Sequence, residues 1–137
     1  MLIRYAWRVL RSLLVERLSR VDGLVAAYLF GSHARGDVTA ASDIDVALWL
    51  QKAPQTFDEL PLELSADLEQ RLGIPVDLVV LNGAPSDLIH RVLRDGILLV
   101  EQDRSARIRF EVRARNDYFD LMPVRNAYRY GRPSVRT

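Results

Sequence analysis

Leu24-Val-Ala-Ala-Tyr-Leu-Phe30 and Ile44-Asp-Val-Ala-Leu-Trp-Leu50 are the two stretches that most restrict what this chain can fold into. Each is an apolar run of strand length, consistent with a buried strand. Between them stand Gly31-Ser32, a short polar loop and Asp43, so strand–turn–strand is the reading. If residues 43–50 are extended, side chains alternate between the two faces. Asp43 and Asp45 then point one way, and Ile44, Val46, Leu48 and Leu50 point the other way into a core. Two carboxylates on one face at the mouth of a sheet are costly without a partner. A divalent cation with oxygen ligands is the usual one. Gly31, lacking a Cβ, lets the backbone approach a ligand closely. Ser32 adds a hydroxyl and neighbouring N–H donors for a phosphate. A phosphate cradle beside metal-binding carboxylates is the equipment of phosphoryl or nucleotidyl transfer.

The remaining elements follow from period and punctuation. Residues 2–19 read as a helix, with apolar Ile3, Trp7, Leu10, Leu14 and Leu18 near the 3.6-residue period and arginines between them. Thr56 and Glu59 have the spacing of a capping box, although Pro61 moves the regular helix nearer Leu60. Leu64, Leu68 and Leu72 give that helix its stripe, and Gly73 with Pro75 ends it. Val76–Leu81 reads as a third strand stopped by Asn82-Gly83. Ser86 is expected to cap a helix through Arg94 with Leu88, Ile89, Val92 and Leu93 inward. Ile97–Val100 reads as a fourth strand. Residues 104–122 read as a final helix ended by Pro123, and the segment after it as irregular. The fold class expected is α/β, a small mixed sheet with flanking helices. The 137 residues read as a single domain, with a core at about 20–103 and a C-terminal helix and basic tail at 104–137.

Composition removes several chemistries. There is no cysteine, so disulfides, thiolate zinc sites and cysteine nucleophiles are excluded, in keeping with a cytoplasmic location. The only histidines are His33 and His90, so a metal site must rely on oxygen ligands. No run approaches the ~20 apolar residues of a membrane span. The single lysine, Lys52, follows Gln51, which rules out a P-loop. Charge is uneven. Residues 1–103 carry ten basic and fifteen acidic side chains, whereas residues 104–137 carry nine arginines against Glu111, Asp117 and Asp120. That tail either meets an anionic surface or forms a solvated arginine-rich helix.

Gly31-Ser32, ten residues, then Asp43-x-Asp45 resembles the signature of nucleotidyltransferases related to DNA polymerase β. The fuller string, Gly31-Ser-x-Ala-Arg-Gly36 with Ser42-Asp-Ile-Asp45, resembles the minimal nucleotidyltransferase (MNT) domains, many of which are the antitoxin halves of HEPN/MNT toxin–antitoxin pairs. The likeness covers roughly residues 20–122 and is sharpest at 29–50. Arg109-Phe-Glu111 with Tyr118-Phe-Asp-Leu121 and Pro123 resembles the C-terminal part of such antitoxins. The resemblance implies a third acidic residue on a neighbouring strand, and Asp77 is the residue that matches. An Asp inside Val76-x-Leu-Val-Val-Leu81 is out of place unless something binds it; its plain alternative is an edge-strand side chain facing solvent.

On this reading Asp43, Asp45 and Asp77 are catalytic and hold two Mg²⁺ (or Mn²⁺), and Gly31 and Ser32 hold the outer phosphates of ATP. Arg35 either braces the leaving pyrophosphate or bridges to Asp37 or Asp43. Ser42 orients the Asp-x-Asp turn. His33 is read as a loop residue at the pocket rim, His90 as solvated or packed. Trp49, on the face of Asp43 and Asp45, is read as core under a helix before it is read as a base contact. The function implied is AMP transfer from ATP to a tyrosine of a cognate HEPN ribonuclease toxin, with no membrane and no nucleic acid as direct ligand. Two alternatives stay open: an antitoxin that only masks its toxin, and transfer to a small molecule such as an aminoglycoside.

Overall fold

In the computed structural model the chain alternates helix and strand: α1 (Leu2–Leu18), β1 (Leu24–Phe30), α2 (Ser32–Arg35), β2 (Ile44–Leu50), α3 (Glu59–Leu72), β3 (Val76–Val80), α4 (Ser86–Asp95), β4 (Ile97–Glu101) and α5 (Arg104–Arg129). The described residues are 2–36, 43–53 and 59–129, with side chains over 7–36, 43–53 and 62–120. The strands form one sheet in the order β3-β2-β1-β4. β1 pairs antiparallel with both β2 and β4, while β2 and β3 run parallel. The sheet is therefore mixed, as expected.

Both faces of the sheet are covered, which is why β1 and β2 are apolar almost without interruption. On one face Leu29, Ile44, Val46, Leu48 and Val76 pack against Leu14 and Leu18 of α1 and Leu64, Leu68 and Leu72 of α3. On the other, Tyr28, Ala47 and Trp49 pack against Ile89 and Val92 of α4 and Ala106 of α5. The stripe expected for α3 is buried throughout, as are Ile89 and Val92 of α4, with Leu88 and Leu93 half-buried beside them. Trp49 is core: it is 5% exposed, and its ring lies 5.2 Å from that of Phe110. Asn82 does more than stop a strand. Its amide accepts from the Leu50 N–H at 2.9 Å and donates to the Leu50 carbonyl at 2.8 Å, standing in for a neighbouring strand.

One charged side chain belongs to the core. Glu111 of α5 is 8% exposed. It accepts from the Tyr28 hydroxyl of β1 and from Arg107 at 2.7 Å, with Arg115 at 3.4 Å. Arg107 also bonds Glu101 of β4. A buried carboxylate is tolerable only when its charge and lone pairs are met in this way. The network fixes α5 on the sheet at one rotation about its axis.

Two expectations are corrected. Ser86 is not a cap: Pro85 holds the N-cap position, no side chain caps the helix, and the Ile89 N–H bonds the Pro85 carbonyl at 3.1 Å. A proline at that position brings no side-chain acceptor, and its extended backbone alone starts the helix. Pro123 does not end the last helix, which runs on to Arg129. A proline forfeits one backbone bond and crowds the preceding turn, so a long helix can bend past it instead of stopping. His33, read as a loop residue, stands in the single helical turn α2 that opens the loop after Ser32 and stops at Gly36. Thr56 of the expected capping box, Ser42, Asp37 and residues 130–137 lie outside the described residues.

Candidate active site

The site is assembled at one end of the sheet by strand register. Asp45 faces Phe30 across the antiparallel β1–β2 pair and Asp77 across the parallel β2–β3 pair. Ile44 and Val76, each one residue earlier, belong to the α1–α3 core. Alternation therefore turns Asp45 and Asp77 to the opposite face, where α4 and α5 lie. Asp43 stands just before β2 and is exposed; Asp45 is half-buried and Asp77 exposed. β3 is an edge strand, so the solvent-facing alternative for Asp77 describes its exposure. It does not account for its place beside Asp45.

Gly31 follows β1 directly and closes on Asp45. Its φ is +75°, and a Cβ built there would lie 2.1 Å from Asp45 Oδ2. Only glycine takes that backbone without strain and leaves room for the carboxylate. The Gly31 carbonyl then accepts from the N–H groups of Ala34 and Arg35, both at 3.1 Å, which forms the single turn α2. Ser32 opens that turn, half-buried beside the glycine.

Negative charge is disfavoured on Asp45. Burial pushes its carboxyl above the usual range, and the negative charges of Asp77 and then Asp43 push it the same way; His33 and Arg35 pull it back. Among the described residues, no three His, Asp or Glu side chains converge closely enough to hold an ion as they stand. The donor set nevertheless suits a hard divalent cation: three carboxylates, all oxygen, whose mutual repulsion such a cation would relieve.

Several neighbours were not legible as site residues. Ser65 of α3 donates to the Val76 carbonyl at 2.6 Å, and Glu69 accepts from the Val76 N–H at 2.9 Å. Together they hold the residue before Asp77 at both backbone groups. Serine and glutamate on the polar side of an amphipathic helix give no sequence signal of such a role. Arg35 acts on Asp95 as well as on Asp45, and Asp95 is held below the usual carboxylate range chiefly by its bond to Arg94. The end of α4 thus reaches the same rim. His33 packs on Trp7 of α1 with ring centroids 5.4 Å apart, and its Nε2 is buried with no hydrogen-bond partner. His90 stacks flat on Tyr118 of α5, centroids 3.8 Å apart and planes 4° from parallel.

Comparison with known proteins agrees with this geometry. The family profile described as polymerase beta, nucleotidyltransferase, matches residues 13–105. The protein adenylyltransferase MntA of Thermococcus cleftensis is 34% identical over 67 residues, 49% of this chain and 66% of that one. The MntA protein adenylyltransferase of Aphanizomenon flos-aquae is 30% identical over 102 residues, 68% of this chain and 67% of its own length. Among solved structures, a chain of a toxin–antitoxin complex with AMP-PNP superposes with a TM-score of 0.75 at 28% identity, covering 86% of this chain and 94% of that one. A chain of a complex between a tri-AMPylated Shewanella oneidensis HEPN toxin and its MNT antitoxin gives 0.70 at 25% identity, covering 88% and 93%.

Proposed function

The chain belongs to the polymerase β nucleotidyltransferase family, and from that premise we propose that it transfers AMP from ATP to a tyrosine of a cognate HEPN ribonuclease toxin and so acts as an antitoxin. The observation that carries the reading is the closure of Gly31 on Asp45 with Asp77 in register beside it. Support for the acceptor comes from relatives named protein adenylyltransferase and from neighbours that are toxin–antitoxin complexes, one with a tri-AMPylated toxin.

Gly31 and Ser32 hold the outer phosphates of ATP at the start of α2. Asp43, Asp45 and Asp77 would hold two divalent cations, Mg²⁺ or Mn²⁺. Bound there, such ions would offset the charge of carboxylates and polyphosphate alike and favour an in-line displacement. The phenol oxygen of the acceptor forms a bond to the α-phosphorus, the bond from that phosphorus to the α–β bridging oxygen breaks, and pyrophosphate leaves. Asp77, exposed at the sheet edge, takes the phenol proton. Arg35 braces the departing pyrophosphate, and Ser42 orients the turn that carries Asp43. ATP as donor places the reaction in the cytoplasm.

The test is transfer of label to the HEPN-domain protein of the same genome. ATP labelled at the α-phosphate should mark the partner, and ATP labelled at the γ-phosphate should not. Transfer from the γ position instead would make the protein a kinase and overturn the reading.

A further inference from the structure

α5 has two faces, and the sheet uses only one. Inward, Ala106, Phe110 and Ala114 join the second core and Glu111 bonds Tyr28. Outward, Ile108, Val112 and Phe119 are exposed at 44%, 49% and 58%. At 100° per residue these three fall within about 40° of arc, a single stripe pointing away from the core. Scattered exposed apolar side chains need no explanation. These three share one face, Ile108 and Val112 one turn apart and Phe119 two turns further on, past Arg115.

Charge and length single this face out further. Arg104 and Arg109 flank the stripe and Arg113 lies farther round; all are exposed, and none has an ion pair among the described residues. Arg107 and Arg115, by contrast, are engaged with Glu111. α5 has 26 residues, about 39 Å of helix. The longest strands have seven, about 23 Å, so the helix outruns the layer beneath it. Its far part also lies toward the site's rim: Tyr118 stacks on His90 of α4, and at the end of that helix Arg94 pairs with Asp95, on which Arg35 also acts.

We propose that the outer face of α5 is the docking surface for the acceptor protein, whose own surface offers an apolar groove bordered by carboxylates. This rests on the protein-acceptor reading above. A second copy of the chain fits poorly, because a two-fold contact would bring the same unpaired arginines face to face. A partner seated on the stripe lies beside the rim of the site.

The experiment uses the full chain and the HEPN-domain protein of the same genome. The double variant Ile108→Glu, Val112→Glu should lose at least about 100-fold in affinity for that protein, as expected when buried anchors at an interface centre are replaced by charge. Its melting temperature and its affinity for ATP should match wild type. Leu62→Glu, on α3 and 67% exposed, should leave the affinity for the HEPN protein unchanged. Wild-type affinity in the double variant overturns the proposal. So does a wild-type homodimer that the double variant disperses while toxin binding persists. If the wild-type chain neither binds nor modifies the HEPN protein, the proposed function falls, and this surface assignment falls with it.

Discussion

The carboxylate of Asp45 fills the space that a side chain on residue 31 would need, with Oδ2 only 2.1 Å from where a Cβ on Gly31 would stand. The proposed phosphate cradle and the proposed catalytic carboxylate are therefore one packed unit. Gly31→Ala must strain the backbone at φ +75° and displace Asp45 as well. With ψ at −153° this is a backbone only glycine ordinarily takes, and the strain alone costs about 1–3 kcal/mol. Displacement of a reacting group by about 1 Å can cost ~100-fold in rate. The expected result is a modest fall in melting temperature with a loss of AMP transfer far larger than that fall explains. A variant that melts lower but transfers at the wild-type rate would separate Gly31 from the chemistry.

The Glu111 network predicts a different pattern, stability without chemistry. Glu111→Ala leaves the buried Tyr28 hydroxyl without its acceptor and Arg107 with Glu101 alone. Breaking a buried charged pair costs about 3–5 kcal/mol, an upper figure here because Arg107 keeps one partner. Tyr28→Phe removes one bond to a charged group and leaves Glu111 its arginines, so the cost is about 1.5–3 kcal/mol. Urea titration of both variants checks the order. Equal stability of Glu111→Ala and wild type would mean that α5 is not held by this carboxylate.

What could be read from sequence follows how local each signal is. β1 and β2 are correct to the residue because their apolar runs are bounded by Gly31 and Asp43, and the face of Asp45 follows from alternation alone. That Asp77 stands beside Asp45 depends on β2 and β3 pairing in parallel, a contact between distant segments. Only family resemblance suggested it. Glu111 reads as a solvated residue of an arginine-rich helix, because nothing local marks its partner on β1. Pro123 misled for the converse reason: its local rule is sound, but a helix of this length can absorb one missing bond. The clamp of Ser65 and Glu69 on Val76 carries no periodic or compositional trace at all.

Metal dependence follows from the donor set. Carboxylates without cysteine or converging histidines favour Mg²⁺ or Mn²⁺ over zinc. ATP should bind measurably more tightly with Mg²⁺ than in EDTA, and thiol reagents should change nothing, since the chain has no cysteine. Calorimetry gives both answers. Equal affinity for ATP in EDTA would put the carboxylate site in trouble.

The enzyme reading itself stands on Asp45 and Asp77. Loss of a residue that only supports a metal ligand already costs ~10–100-fold, so Asp45→Asn or Asp77→Asn should cost at least that in AMP transfer. Stability should move the other way. Asp45 is raised in the folded protein by burial and by Asp77 and Asp43, so folding binds its proton more tightly than the unfolded chain does. Its ionised form therefore opposes folding above the folded pKa, and the effect fades as pH falls below the unfolded one. Without metal, Asp45→Asn should melt no lower than wild type at neutral pH, with any advantage shrinking in acid. The measurements are transfer of α-labelled AMP to the HEPN protein and melting across pH. Full transfer by either variant would falsify the assignment of these carboxylates. Full neutralisation of the toxin by a folded, transfer-dead variant would instead make masking the working activity, with the α5 face as its instrument.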